Sequence, residues 1–150
     1  MPPAFDEPDV VGHNDLTFEN VIFRGGSPVG IVDFDLAGPT TRLLDVATTL
    51  RYWAPLSPPA DRDPALRDLD SGRRLRVFAD AYGLDAAQCD RLLDVADLRF
   101  TRSWHLMRFR AEHDGGGWAR MWSAGAGELI TRAHSWFADH RGELAAALHR

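Results

Sequence analysis

Lysine is absent from all 150 residues, and the seventeen basic side chains are arginines. Every chemistry that requires a lysine within the chain, from Schiff-base formation to a lysine gripping nucleotide phosphates, is therefore excluded for these residues on their own. Cysteine is almost absent too. Cys89 has no second thiol with which to form an internal disulfide or a Cys-rich zinc site. No run of about eighteen apolar residues occurs, and the opening Met1-Pro2-Pro3-Ala4-Phe5-Asp6 lacks the basic and apolar regions of a secretory leader. These absences predict a soluble cytoplasmic protein that has no membrane partner. Basic charge is also short, at 17 residues against 22 acids, which argues against a nucleic-acid partner because neutralising phosphates needs a positive surface.

What remains is a chain able to fold. Its 150 residues with 45% apolar side chains suit one compact domain with a core of its own. The charge is unevenly spread. Residues 1–54 hold eight acids (Asp6, Glu7, Asp9, Asp15, Glu19, Asp33, Asp35, Asp45) against three arginines, whereas residues 55–150 hold fourteen of each sign. The whole net charge of −5 thus lies in the first third, which suits a cation site, although scattered surface acids produce the same count.

The texture changes near Pro55-Leu56-Ser57-Pro58-Pro59. Before it, Val10-Val11-Gly12 is a short apolar run. The β-rich runs Asn20–Arg24 and Val29–Asp33 flank Gly25-Gly26-Ser27-Pro28, a hairpin signal. After Gly38-Pro39-Thr40, the residues Leu43, Val46, Ala47 and Leu50 have helical spacing, predicting a helix that ends near Trp53-Ala54-Pro55. Asp70 to Tyr82 reads as another helix. Asp85 is placed to cap a long helix through Leu92, Phe100, Trp104 and Met107 that Gly115-Gly116-Gly117 must end. A last helical stretch runs from Trp118 to the end with a break expected around Gly142, and Ala60–Leu69 reads as a loop.

His13-Asn14-Asp15-Leu16-Thr17-Phe18-Glu19-Asn20 forms the pattern H-x-D-x-x-x-x-N, and Ile31-Val32-Asp33-Phe34-Asp35 brings an aspartate thirteen residues after the asparagine. Phosphoryl transfer uses such a set because it depends on positioning and charge neutralisation: a carboxylate orients the attacking hydroxyl, while amide and carboxylate oxygens hold Mg2+ on the phosphates. A hairpin turn centred between Gly26 and Ser27 would set Arg24 opposite Val29, Ile22 opposite Ile31 and Asn20 opposite Asp33, gathering two oxygen ligands at one end of a ribbon. The paired glycines also permit a slip of the register.

With the following helix carrying Leu44-Asp45-Val46-Ala47, these motifs resemble the catalytic segment of the aminoglycoside phosphotransferase and choline kinase-like family, most strongly over Val11 to Trp53. The resemblance implies an α+β fold like the carboxy-terminal lobe of protein kinases, mostly helical with a small β-hairpin. Residues 1–54 would hold the catalytic part and 60–150 a helical substrate side. It makes Asp15 the catalytic aspartate, His13 a brace of the same loop, and Asn20 and Asp33 ligands of Mg2+ that also hold ATP. Asp45 would tie its helix to the loop. Asp35, two residues beyond Asp33 on the same face if the strand persists, is either a further metal residue or an uninvolved carboxylate. Glu19 stands where many relatives carry glycine, so the direction of its side chain is open.

The resemblance also implies something missing. Kinases of this fold use an amino-terminal lobe that covers the adenine and supplies a lysine, yet only about a dozen residues precede His13, and Pro2, Pro3 and Pro8 discourage a strand there. The expectation is a truncated phosphotransferase that transfers the ATP γ-phosphate to a hydroxyl of a small polar molecule and is inactive alone. The competing reading is a non-catalytic lobe that self-associates or pairs with a second chain through its uncovered face. A third is a hydrolase with a transition metal on His13, Asp15, Asp33 and Asp35. Trp104, His105, Trp118 and Trp122 could line a substrate pocket, but their spacing also fits core packing.

Overall fold

The computed structural model describes residues 7–150, so the expectation about Pro2 and Pro3 lies outside the described residues. The chain forms a mixed α+β fold. Strands β1 (Val10–Gly12), β2 (Val21–Arg24), β3 (Ser27–Ile31) and β4 (Gly38–Thr40) come first. Helices α1 (Arg42–Trp53), α2 (Ser71–Tyr82), α3 (Ala86–His113), α4 (Gly116–Ser123) and α5 (Ala126–Leu148) follow, with two short 3-10 turns at Pro59–Asp61 and Pro64–Leu66 inside the expected loop.

The strands make two separate antiparallel pairs, β1 with β4 and β2 with β3. Gly38-Pro39-Thr40, which reads as a turn in sequence, pairs with β1 instead: Val10 faces Thr40 and Gly12 faces Gly38. Gly12 is required by close approach, since a Cβ there would lie 2.5 Å from Thr40 Cγ2 and 2.7 Å from Asp45 Cγ. The hairpin register also differs from the sequence expectation. Gly25 and Gly26 both take positive φ (55° and 82°) and form the two-residue turn themselves, so Arg24 faces Ser27. A bulge between Ile22 and Phe23 then sets Val21 opposite Ile31. The strand ends at Ile31, so the geometry expected for Asp35 on a continuing strand does not occur.

The helices carry the core. α3 lies against α1, α4 and α5, and α2 packs on α5. Leu50, Leu56, Leu75, Leu92, Phe100, Phe137 and Leu148 are all but inaccessible, each worth roughly 1.5–3 kcal/mol of burial relative to exposure. The helix ends follow local chemistry. Thr41 caps α1 through Leu44 N (3.2 Å), Asp70 caps α2, and Asp85 with Gln88 forms a reciprocal capping box at the start of α3. α3 stops at Asp114, and Gly116 and Gly117 already belong to α4. The expected break at Gly142 is absent; the chain turns instead at Gly125, whose φ of 94° suits glycine, and α5 then runs unbroken. Among the described residues no helix is long and apolar enough to cross a membrane.

Candidate functional site

The loop from Gly12 to Asn20 lies along one side of α1. Asn14 sits in the left-handed region (φ 63°), a conformation asparagine tolerates. Its backbone N–H donates to Asp45 Oδ1 at 3.0 Å, and its side-chain amide reaches the carbonyl oxygens of Leu36 (3.1 Å) and Gly12 (3.3 Å). Two turns further along α1, the Trp53 indole N–H donates to Leu16 O at 2.8 Å, with the Trp53 ring 4.3 Å from that of Phe18. Asp15 is thus held between two attachments to the same helix. The fold shows Asp45 tying the helix to the loop. Asn14 and Trp53, which sequence reasoning passed over, supply the other half of the fastening.

His13 and Asn20 are both buried. The Nε2 of His13 meets Val32 O at 2.9 Å, so it carries the proton and donates, and the ring lies 4.8 Å from Phe34. Its Nδ1 is buried without a hydrogen-bond partner among the described residues. His13 therefore braces the strand that leads to Asp33. The amide nitrogen of Asn20 donates to Asp15 O at 2.8 Å and more distantly to Asp15 Oδ2 at 3.4 Å. That leaves its Oδ1 as the atom free to face a ligand. Val32 N donates to Asn20 O at 3.0 Å, so Asn20 faces Val32 rather than Asp33. The one-residue offset still leaves Asn20 and Asp33 at the same end of the ribbon.

Asp33 has φ 60° and is exposed just past the end of β3. Asp35 is exposed in the turn closed by Ala37 N to Phe34 O (2.9 Å). Burial raises the pKa of the Asp15 carboxyl, which is also raised by the negative charge of Asp33 and lowered by His13, by Arg99 and by the Asn20 hydrogen bond. Asp15 and Asp33 are thus close enough to repel one another. An uncharged amide oxygen beside mutually repelling carboxylates is a hard-oxygen set that fits Mg2+. Among the described residues no group of three or more His, Cys, Asp or Glu side chains is arranged to hold a metal ion, and the geometry does not favour the transition-metal hydrolase.

The aromatic residues of the helical half divide between packing and surface. Trp104 leans on the core and meets Trp122 edge-on at 5.5 Å. With Phe100, His105, Ile130 and His134 it also lines a shallow groove of about 210 Å3. Another groove, of about 650 Å3, lies between α2 and α5, is lined by residues such as Arg62, Asp70 and Trp136, and receives none from the 13–35 segment.

A loop pinned to a helix, an aspartate presented from it, and an asparagine and second aspartate at the end of a β-ribbon define the site. The chain belongs to the APH phosphotransferase enzyme family, whose sequence model matches residues 1–121. It is also similar to the trifolitoxin immunity protein of Rhizobium leguminosarum bv. trifolii, at 31% identity over 150 residues covering 93% of this chain and 54% of that protein. The chain thus spans about half the length of this curated relative. No solved structure matches it.

Proposed function

We propose that this chain is the kinase-like carboxy-terminal lobe of a phosphotransferase that moves the γ-phosphate of ATP to a hydroxyl of a small polar molecule. The observation that carries the reading is the shared fastening of Asp15, Asn20 and the Asp33 end of the ribbon. In the step, the acceptor oxygen forms a bond to the γ-phosphorus, the bond to the ADP oxygen breaks, and the hydroxyl proton passes to the Asp15 carboxylate. A raised pKa makes that carboxylate the better proton acceptor. Asn20 Oδ1 and the Asp33 carboxylate would hold Mg2+, and Asp35, exposed two residues further on, would be a further carboxylate within the same segment. The ion, when bound, neutralises phosphate charge.

Because no lysine exists in these residues, a phosphate-gripping lysine would have to come from a segment or chain outside them. The isolated polypeptide is therefore expected to bind Mg2+-ATP weakly and to turn over negligibly. Calorimetric titration with Mg2+-ATP tests the site: Asn20→Ala and Asp33→Ala should each weaken binding by about tenfold or more. Equal binding by the wild type and both variants would sink the assignment. Strong Asp15-dependent ATP consumption by the chain alone would instead overturn the need for an outside contribution. The name of the immunity protein describes protection from a toxin, and phosphorylating a hydroxyl of a harmful molecule is one use of the reaction that agrees with it.

A second reading rests on the uncovered side chains of the ribbon. Ile22, Phe23, Val29, Ile31, Val32 and Phe34 are 42–59% exposed, an apolar surface of the kind that marks an interface. A lobe that works by pairing would use this face and would not need Asp15.

A further inference from the structure

Two arginines meet behind the loop that carries Asp15. Thr48 lies on α1 one turn after Asp45 and one turn before Tyr52, on the side of the helix along which the loop is fastened. Arg99 reaches across from α3 and donates from Nε to Thr48 Oγ1 at 2.9 Å. Its Nη1 donates to the Ser103 hydroxyl, which in turn donates to Arg99 O at 2.8 Å. Arg51 Nη1 points at the same hydroxyl from 3.5 Å, with its guanidinium over the rings of Tyr52 (5.6 Å) and Phe100 (5.5 Å). Two guanidiniums therefore converge on one neutral hydroxyl. Among the described residues no carboxylate forms an ion pair with either of them.

Such an arrangement is costly unless an anion completes it, because a guanidinium removed from water needs a counter-charge and acceptors for its five N–H groups. Arg62 shows how this chain satisfies a purely structural arginine. It is buried, donates to the carbonyl oxygens of Ser57 (2.9 Å), Leu69 (2.9 Å) and Arg67 (3.4 Å), and lies against the face of Trp136. Among the described residues the Arg99 guanidinium has no carbonyl partner of that kind, and burial together with the charges of Arg51 and Arg102 pushes its pKa down to about 10. Asp15 and Arg99 feel one another's charge, and Arg99 is bonded to α1 at Thr48, one turn from the Asp45 that fastens the Asp15 loop. Arg99 therefore stands beside the candidate phosphoryl-transfer centre, with Arg51 reaching the same Ser103 hydroxyl.

We propose that Arg99 and Arg51 form the part of the acceptor site that takes an anionic group, so that the molecule phosphorylated carries a carboxylate or phosphate beside its hydroxyl. This rests on the phosphotransferase reading and narrows its substrate class. A polycationic acceptor would meet like charge here, whereas a hydroxy acid or sugar phosphate would supply the missing counter-ion in bidentate geometry.

The test is nuclear magnetic resonance of the arginine Nε–H groups in the chain, titrated with DL-glycerate, glycerol 3-phosphate and ethanolamine in the absence of ATP. The expected result is saturable movement of the Arg99 and Arg51 signals with at least one anion, the tighter of the two naming the class, and none with ethanolamine. Arg51→Gln should weaken the anion by about tenfold. Arg132→Gln, which alters an exposed arginine paired with Asp61, should leave it unchanged. Immobile signals with both anions, or equal weakening by Arg132→Gln, would overturn the proposal. If Arg51→Gln does not fold, the wild-type titration decides alone. Anion binding alongside Mg2+-ATP binding that Asn20→Ala and Asp33→Ala leave unchanged defeats only the phosphotransferase reading, and Asn20- and Asp33-dependent Mg2+-ATP binding without anion binding defeats only this one.

Discussion

Asp15 is held in surroundings that suit chemistry better than stability. Burial raises its pKa above the unfolded value, so the folded state prefers the protonated form, and the stability this gives is lost as pH rises through the folded pKa. Asp15→Asn should therefore raise the thermal midpoint at pH 7, with the gain fading as pH falls to the unfolded aspartate pKa; calorimetry at a series of pH values checks the sign. Asp45 makes the complementary case. Asp45→Ala leaves the half-buried Asn14 N–H without its acceptor and should cost about 1–3 kcal/mol, while Asp45→Asn, which keeps an acceptor oxygen, should cost less in the same urea melts. At this scale the sequence pattern pointed to His13, Asp15, Asn20 and Asp33 because their spacing reflects one local chemistry. It could not point to Trp53, Asn14 or Arg99. The Trp53 indole and the Arg99 guanidinium meet partners 37 and 51 residues away, and the fold alone creates those meetings.

The elements show which local rules were decisive. Asp85 reads as a cap and is one, and Asp85→Ala should remove the hydrogen bond its carboxylate accepts from Gln88 N while leaving the one its main-chain N–H donates to Gln88 Oε1, at about 1 kcal/mol, seen as a lower urea midpoint. The hairpin register was not legible, because Gly25-Gly26 accepts several turns and only the bulge after Ile22 decides among them. β4 was hidden for a related reason: Gly-Pro-Thr carries turn residues, and its strand exists only because β1 lies alongside. Gly142 misled in the opposite direction, since glycine inside a well-packed helix costs roughly 1 kcal/mol and does not by itself end it. Among the glycines, Gly12 leaves the least room for a Cβ. Gly12→Ala would press on Thr40 and Asp45 and should destabilise by about 1–3 kcal/mol, with a matching loss of Mg2+-ATP binding as the loop is displaced.

At the scale of the whole chain, nearly all of the buried apolar residues belong to helices, and the ribbon contributes none to that core. The mixed class was readable because helical periodicity after residue 59 and β-rich runs before residue 34 differ so plainly in sequence. How far the strand side would be left uncovered was not, since burial is a property of neighbours. Sedimentation at rising concentration is expected to show association through Phe23, Val29 and Phe34, and Phe23→Glu should abolish it; a concentration-independent monomer would remove the pairing alternative. The same division has a kinetic corollary. Amide protons of α1, α3 and α5 should exchange with deuterium only through global unfolding, whereas those of β2 and β3, closed by a handful of solvent-facing bonds, should exchange through small local openings. Any partner that capped the ribbon would then act as a clamp on its breathing, and slowed exchange at Val21 to Ile31 would report its binding.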